Sequence, residues 1–185
     1  MLMGVVLMKS QHSERRAPQR MASPDPPQSR LPALGRRGGG WVAIQVTLLA
    51  VAVAVGMLGT SWPPAAQPWL WIGGSVVLVS GLALLVGGGV GLGRQLTPFP
   101  KPAKTGELRE DGVYGLVRHP MYGGALLVML GWSLVSSPLA LVPFALAGVF
   151  LDAKRRREEA WMLAQYPGYG QYRLHVRRQF IPLVW

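Results

Sequence analysis

Apolar residues run along this chain in long uncharged stretches, separated by charged blocks at residues 9–37, 94–118 and 152–178. The first stretch, Trp41 to Met57, reads WVAIQVTLLAVAVAVGM, with one amide and no charge. With its flanks it reaches about 20 residues, the length that crosses a hydrocarbon core. A charge-free connector with three prolines follows, TSWPPAAQPW. The second stretch, Leu70 to Leu92, has Trp69 and Trp71 at its start, where an aromatic belt would lie. A third apolar region runs from Met121 to Leu151, long for one span and short for two. Ser136-Ser137-Pro138 at its middle is turn chemistry. The pattern predicts an all-α integral membrane protein with four transmembrane helices at about 41–58, 70–92, 119–135 and 138–153. The last two form a tight hairpin, and the fourth runs on into a C-terminal helical segment, a charged helix up to about Gln165 that ends at the turn Tyr166-Pro167-Gly168-Tyr169.

Composition agrees with that pattern. Half of the 185 residues are hydrophobic and 15% are charged, against about 25% in soluble domains. The net charge of +11 does not point to nucleic acid, because the basic residues flank apolar runs, where membrane topology accounts for them. Seven Lys or Arg lie in the N-terminal tail and seven after Leu151, and none in the 59–68 connector or the Ser-Ser-Pro turn. A basic excess marks cytoplasmic segments, so both termini and the 94–118 loop are expected inside, which requires an even number of crossings. Residues 1–40 are expected to form a disordered basic tail, being rich in Pro, Gly, Ser, Gln and Arg. The opening MLMGVVLM lacks the layout of a signal peptide, and Met21 is an alternative start. Residues 41–185 then form the one membrane domain. The absence of cysteine excludes disulfides, thiolate metal sites and cysteine nucleophiles. His12 and His175 have no company that suggests a metal, and none is expected.

Two constellations carry candidate chemistry. Arg118-His119-Pro120-Met121-Tyr122 stands where the third span begins. Helix-entry rules account for a proline in the first turn, a snorkelling arginine and an interfacial tyrosine, but they leave His119 without a purpose. In the charged helix, Glu158, Trp161, Met162 and Gln165 share one face at i, i+3, i+4 and i+7. Glu159 instead follows Arg155 and Arg156 by one turn, the spacing of a surface ion pair. The bland alternative for KRRREE is a solvated charge run. Gly87 to Gly93 reads GGGVGLG; Gly87 and Gly91 form a small-xxx-small pair suited to helix packing, in preference to close approach by a cofactor.

Gly112-Val-Tyr-Gly-Leu-Val-Arg-His-Pro-Met-Tyr122, a short hairpin, Glu158-Glu159, Tyr169-x-x-Tyr172 and Phe180-Ile-Pro182 together resemble the isoprenylcysteine carboxyl methyltransferase family, within the wider phospholipid methyltransferase-like group. The resemblance covers roughly residues 88–185. It implies S-adenosylmethionine as cofactor, held at the cytoplasmic membrane face in a region spanning about 110–182. It implies that Arg118, His119, Pro120, Tyr122, Glu158 and Glu159 line the cofactor pocket; no catalytic residue is assigned. Glu158 or Glu159 would take the cofactor's hydroxyls or amine, Arg118 or His119 its carboxylate, and Tyr122 or Trp161 would face its sulfonium or adenine. The expected acceptor is lipophilic, drawn from the membrane: a prenylcysteine-like carboxylate, a lipid amine or an isoprenoid-like molecule. The rival readings are a membrane NADPH-dependent reductase of the steroid-reductase type and a non-enzymatic membrane scaffold.

Overall fold

A computed structural model describes residues 31–32, 34–99 and 106–182, so most of the expected tail lies outside the described residues. Among them the chain is all-helical and contains no strand. Five α-helices follow in order: α1 Gly39–Leu58, α2 Gln67–Leu92, α3 Pro120–Ser136, α4 Leu141–Gln165 and α5 Tyr169–His175. Their limits follow from local chemistry. Pro68 and Pro120 open α2 and α3 in the first turn, where no N–H is needed. At the end of α1 the Gly59 N–H returns to the Val55 carbonyl, and the chain then leaves through Pro63 and Pro64. α4 is continuous from its apolar half into its charged half and ends at Gln165, as the pattern predicts.

α1 and α2 are each long and apolar enough to cross a membrane. Both turn large side chains outward, among them Val46, Leu49 and Met57 on α1 and Ile72, Val76 and Val79 on α2. A helix that is apolar all round belongs in a core or in lipid, and these faces are exposed, so the chain associates with a membrane. Among the described residues two helices rather than four meet the length and hydropathy of a span: α3 is apolar but has 17 residues, and α4 is apolar only as far as Leu151.

The turn at Ser137 is present. The Ser137 hydroxyl accepts from the Leu139 N–H at 3.2 Å and starts the short 3-10 turn Pro138–Ala140. The closest helix pair, however, is α2 with α3 rather than α3 with α4. Glycines set that pairing. Gly74, Gly81 and Gly88 of α2 face α3, and Gly124 and Gly131 of α3 face α2. A Cβ on Gly81 would stand 2.7 Å from the Val128 nitrogen, and one on Gly131 would stand 2.7 Å from the Gly74 carbonyl oxygen. Backbone thus meets backbone along a seam of small residues spaced by seven. Gly87 and Gly91, the pair expected to pack helices, instead face Val113 and Tyr114 of the 3-10 turn Gly112–Gly115. On the other flank, α4 packs against α1 and α3 around Ala52, Leu126, Met129, Ala147 and Leu151, and Phe180 from the C-terminal segment completes this core.

Candidate active site

The start of α3 is held by the end of the chain. After α5 the backbone runs beside Arg118 and His119, whose N–H groups donate to the carbonyls of Arg178 at 3.0 Å and Gln179 at 2.8 Å. Phe180 follows and is fully buried. A Cβ on Gly123 would overlap the Phe180 carbonyl, so this docking needs glycine at that position. His119 caps α3, its carbonyl accepting from the N–H groups of Tyr122 and Gly123.

Glu159 is the electrostatic centre of this junction, and its place corrects the expectation of a surface ion pair. Its side chain is 5% exposed. The carboxylate accepts from Arg118 Nε at 3.1 Å and His119 Nε2 at 3.1 Å, with Arg155 Nη1 at 3.4 Å and Arg173 Nε at 3.5 Å. Burial opposes its ionisation, but the His119 hydrogen bond and the charges of His119, Arg118 and Arg155 outweigh burial and hold the carboxyl down at about 2. Arg156, the other expected partner, is exposed and bonds Asp152 at 2.7 Å. The Arg118 guanidinium is committed in the same way. Besides Glu159 it donates through Nη1 to the carbonyls of Val176 at 2.6 Å and Arg177 at 3.0 Å. Arg118 and Glu159 therefore fasten the C-terminal segment to α3 and α4.

Glu158 points the other way, into a cavity of about 350 Å³ between α1, α2, α3 and the charged half of α4. The Tyr122 hydroxyl donates to Glu158 Oε2 at 2.6 Å, and His119 Nδ1 lies 3.9 Å from the same oxygen. The His119 and Tyr122 rings lie parallel, 5.5 Å between centroids. Tyr169, which also lines the cavity, is 1% exposed, and its hydroxyl has no hydrogen-bond partner among the described residues. Burial, with the charges of Glu159 and Glu158 in support, pushes that phenol well above its usual range, so it stays a neutral donor. Tyr172 and Tyr114 brace the wall: the Tyr172 hydroxyl donates to the Tyr114 carbonyl at 2.7 Å, and the Tyr114 hydroxyl to the Gly88 carbonyl at 3.2 Å.

Of the six expected site residues, Arg118, His119, Pro120, Tyr122 and Glu158 line this cavity, while Glu159 lies behind it. Met162 lines it as the helical phase predicts; Trp161 and Gln165 do not. Trp161 instead carries the Arg157 guanidinium 4.5 Å above its ring. Lys154 and Gln45 were not expected there. Lys154 lines the cavity one turn before Glu158, and its Nζ donates to the Gln45 Oε1 of α1. The signals available for them were slight: the i, i+4 spacing to Glu158 and an isolated amide in an apolar run.

A cavity where apolar helices meet a charged helix, lined by a carboxylate, a ring pair and a hydroxyl without a partner among the described residues, is the candidate ligand site. The phospholipid methyltransferase family matches residues 69–168, just over half of the chain, and the chain belongs to that family. The match runs from the start of α2 to the turn before α5 and contains Arg118, His119, Tyr122, Glu158 and Glu159. No curated protein matches the chain significantly.

Proposed function

We propose that the chain transfers a methyl group from S-adenosylmethionine to a lipophilic acceptor, at the cytoplasmic face of a membrane that it crosses four times. The observation that carries the reading is a carboxylate with acceptor capacity to spare and a hydroxyl without a partner among the described residues, both lining the cavity. Glu158 is held by Tyr122 and faces the cavity, which is also lined by Tyr169, whose buried hydroxyl has no partner among the described residues. Buried polar groups without partners are rare in folded proteins, and a ligand with hydroxyls and an amine would satisfy the Tyr169 hydroxyl and the remaining lone pairs of Glu158. S-adenosylmethionine fits this donor set. Glu158 would accept from its hydroxyls or amine, Tyr169 would donate to one of its acceptors, and the His119–Tyr122 ring pair would lie near its cationic or aromatic part. Arg118 in the cavity wall and Glu159 behind it would act as positioning residues, since their charges are spent on each other and on the C-terminal segment.

When bound, the cofactor supplies a methyl group already activated for displacement. The chain's own part is then to bring the partners together and exclude water. An acceptor carboxylate is ionised at neutral pH and would need no base. Four crossings are supported by α3, about 26 Å long at 1.5 Å per residue against a core of about 30 Å, and by the outward-facing Val142, Leu146 and Val149 on the apolar half of α4.

The test is a titration of the purified chain in detergent with S-adenosylhomocysteine, paired with labelled-methyl transfer into membrane lipids. Wild type is expected to bind. Glu158→Gln removes one charge-assisted hydrogen bond, about 1.5–3 kcal/mol, and should weaken binding by roughly tenfold to a hundredfold. A folded wild type that binds NADPH and not S-adenosylhomocysteine would transfer the reading to the reductase.

A further inference from the structure

The geometry points to Lys154, held by Gln45, as the headgroup subsite for the methyl acceptor, selecting a lipophilic molecule whose polar end carries an ionised oxygen group over one that carries an amine alone. The inference rests on the methyl-transfer reading for the word acceptor. The subsite itself stands on its surroundings.

Lys154 is 2% exposed. Its ammonium donates to one neutral amide, Gln45 Oε1, and stands 5.1 Å above the Tyr122 ring. No carboxylate among the described residues lies within 4.0 Å of it; Glu158, one turn on, is bound to Tyr122 instead. The other buried cations differ: Arg118 and Arg155 each have a carboxylate. A buried ammonium whose direct contacts are an amide and a ring, with the Glu158 charge acting from farther off, is expensive to keep, and near a membrane such a residue marks a functional site. Lys154 also opens into the cavity, so an anionic oxygen entering there would complete its shell.

The subsite adjoins the cofactor's groups at Tyr122 and lies on their apolar side. Lys154 precedes Glu158 by one turn, toward the apolar half of α4, and Gln45 lies within the apolar run of α1. The adjoining walls are apolar: Val42 and Val46 from α1, Leu85 from α2 and Ala125 from α3. A molecule seated there would have its head at Lys154 and its tail along these helices. A bare ammonium head would meet a like charge at the end of that path, whereas a carboxylate or phosphate would meet an opposite one.

The experiment places the full chain in nanodiscs of zwitterionic lipid and titrates four amphiphiles of equal chain length: a carboxylate, a phosphate monoester, an alcohol and a primary amine. Wild type, Lys154→Met, Lys154→Arg and the exposed-charge control Arg156→Met are compared, and each is also titrated with S-adenosylhomocysteine. The wild type should prefer one or both anions to the alcohol by about tenfold or more, with the amine weakest. That preference should vanish in Lys154→Met and survive in Lys154→Arg and in Arg156→Met, with S-adenosylhomocysteine affinity within about twofold throughout. Preference for the carboxylate names an acid acceptor, and preference for the phosphate names a phospholipid headgroup. Retention of anion preference by Lys154→Met overturns the subsite. So does a Lys154→Met protein that keeps its anions but loses S-adenosylhomocysteine, which would make Lys154 a cofactor contact. A wild type that shows the anion preference but binds no S-adenosylhomocysteine sinks the methyl-transfer reading and leaves the subsite standing.

Discussion

Two adjacent carboxylates on one helix have different work because successive helical residues point about 100° apart. Glu158 lies in the row 154, 158, 162 that lines the cavity, while Glu159 lies in the row Leu151, Arg155, Glu159 that is buried against the rest of the fold. Glu159→Gln would leave Arg118 and Arg155 facing a neutral amide, and breaking a buried pair of this kind costs about 3–5 kcal/mol. The variant should therefore lose thermal stability and yield in detergent, in contrast to Glu158→Gln, which should fold normally. The pH dependence carries a sign. The Glu159 carboxyl is held down at about 2 in the folded chain, against an unfolded value near 4.3. Its contribution is present above the unfolded value and is lost as pH falls from there toward 2. Melting curves between pH 6 and pH 2, roughly that window with a margin, should show wild type and Glu159→Gln converging as the medium becomes acid. A gap that stays constant would mean that Glu159 is not ionised by these partners. The cavity-facing role of Glu158 was legible, because helical phase is a local property. The burial of Glu159 was not, since Arg118 is 41 residues away and Arg173 comes from a different helix; sequence spacing reports only the neighbours on one element.

At the scale of elements, two contacts decide how the site is assembled, and both use the missing side chain of glycine. Along the α2–α3 seam a Cβ on Gly81 would meet the Val128 nitrogen and the Gly124 carbonyl oxygen, which are backbone atoms and cannot rotate away. Gly81→Ala should push the helices apart and destabilise the chain by about 1–3 kcal/mol. Gly73, on the same helix with nothing near it, is the control. Gly73→Ala should be neutral or slightly stabilising, by up to about 1 kcal/mol, because alanine favours helix. Thermal melts in one detergent compare the two, and equal losses would refute the seam. Gly123 is the second contact: Gly123→Ala would displace the Phe180 carbonyl and with it the segment bonded to Arg118 and His119. S-adenosylhomocysteine affinity should fall even if the four long helices persist, and unchanged affinity would show that the C-terminal clamp is dispensable. The four long helices and the Ser137 turn were legible from uncharged run lengths and turn residues. The seam was read in the wrong register: Gly87 and Gly91 satisfy a spacing rule, but which glycines meet another helix depends on how α3 lies against α2. The short helix α5 and the return of the chain onto α3 leave no periodic trace in seven residues.

For the whole molecule, the division between an apolar part and a charged end fixes where the chemistry would take place. The cavity opens where the charged half of α4, α5 and the C-terminal segment gather, and its other walls are the beginnings of α1 and α3 and the end of α2. In an antiparallel bundle of four crossings these parts all lie on one side. The charge distribution predicts which: fourteen of the nineteen basic residues lie before residue 38 or after residue 153, and basic flanks tend to be retained in the cytoplasm. Both termini should therefore face the cytoplasm, with the 59–68 connector and the Ser137 turn on the far side. Under the proposed reading this arrangement would bring a water-soluble cofactor to the charged end while the acceptor would arrive sideways from lipid toward Lys154, so that each partner would meet the site from its own phase. Reporter fusions at residues 40 and 185, each active on only one side of the membrane, test it directly. Like readouts on the cytoplasmic side are expected. Unlike readouts would mean an odd number of crossings, and the apolar half of α4 would then be a helix lying at the surface, beside α3 as the third and last span. Like readouts on the outer side would put the cavity out of reach of a cytoplasmic methyl donor and would exclude the proposed reaction whatever the residues in it can bind.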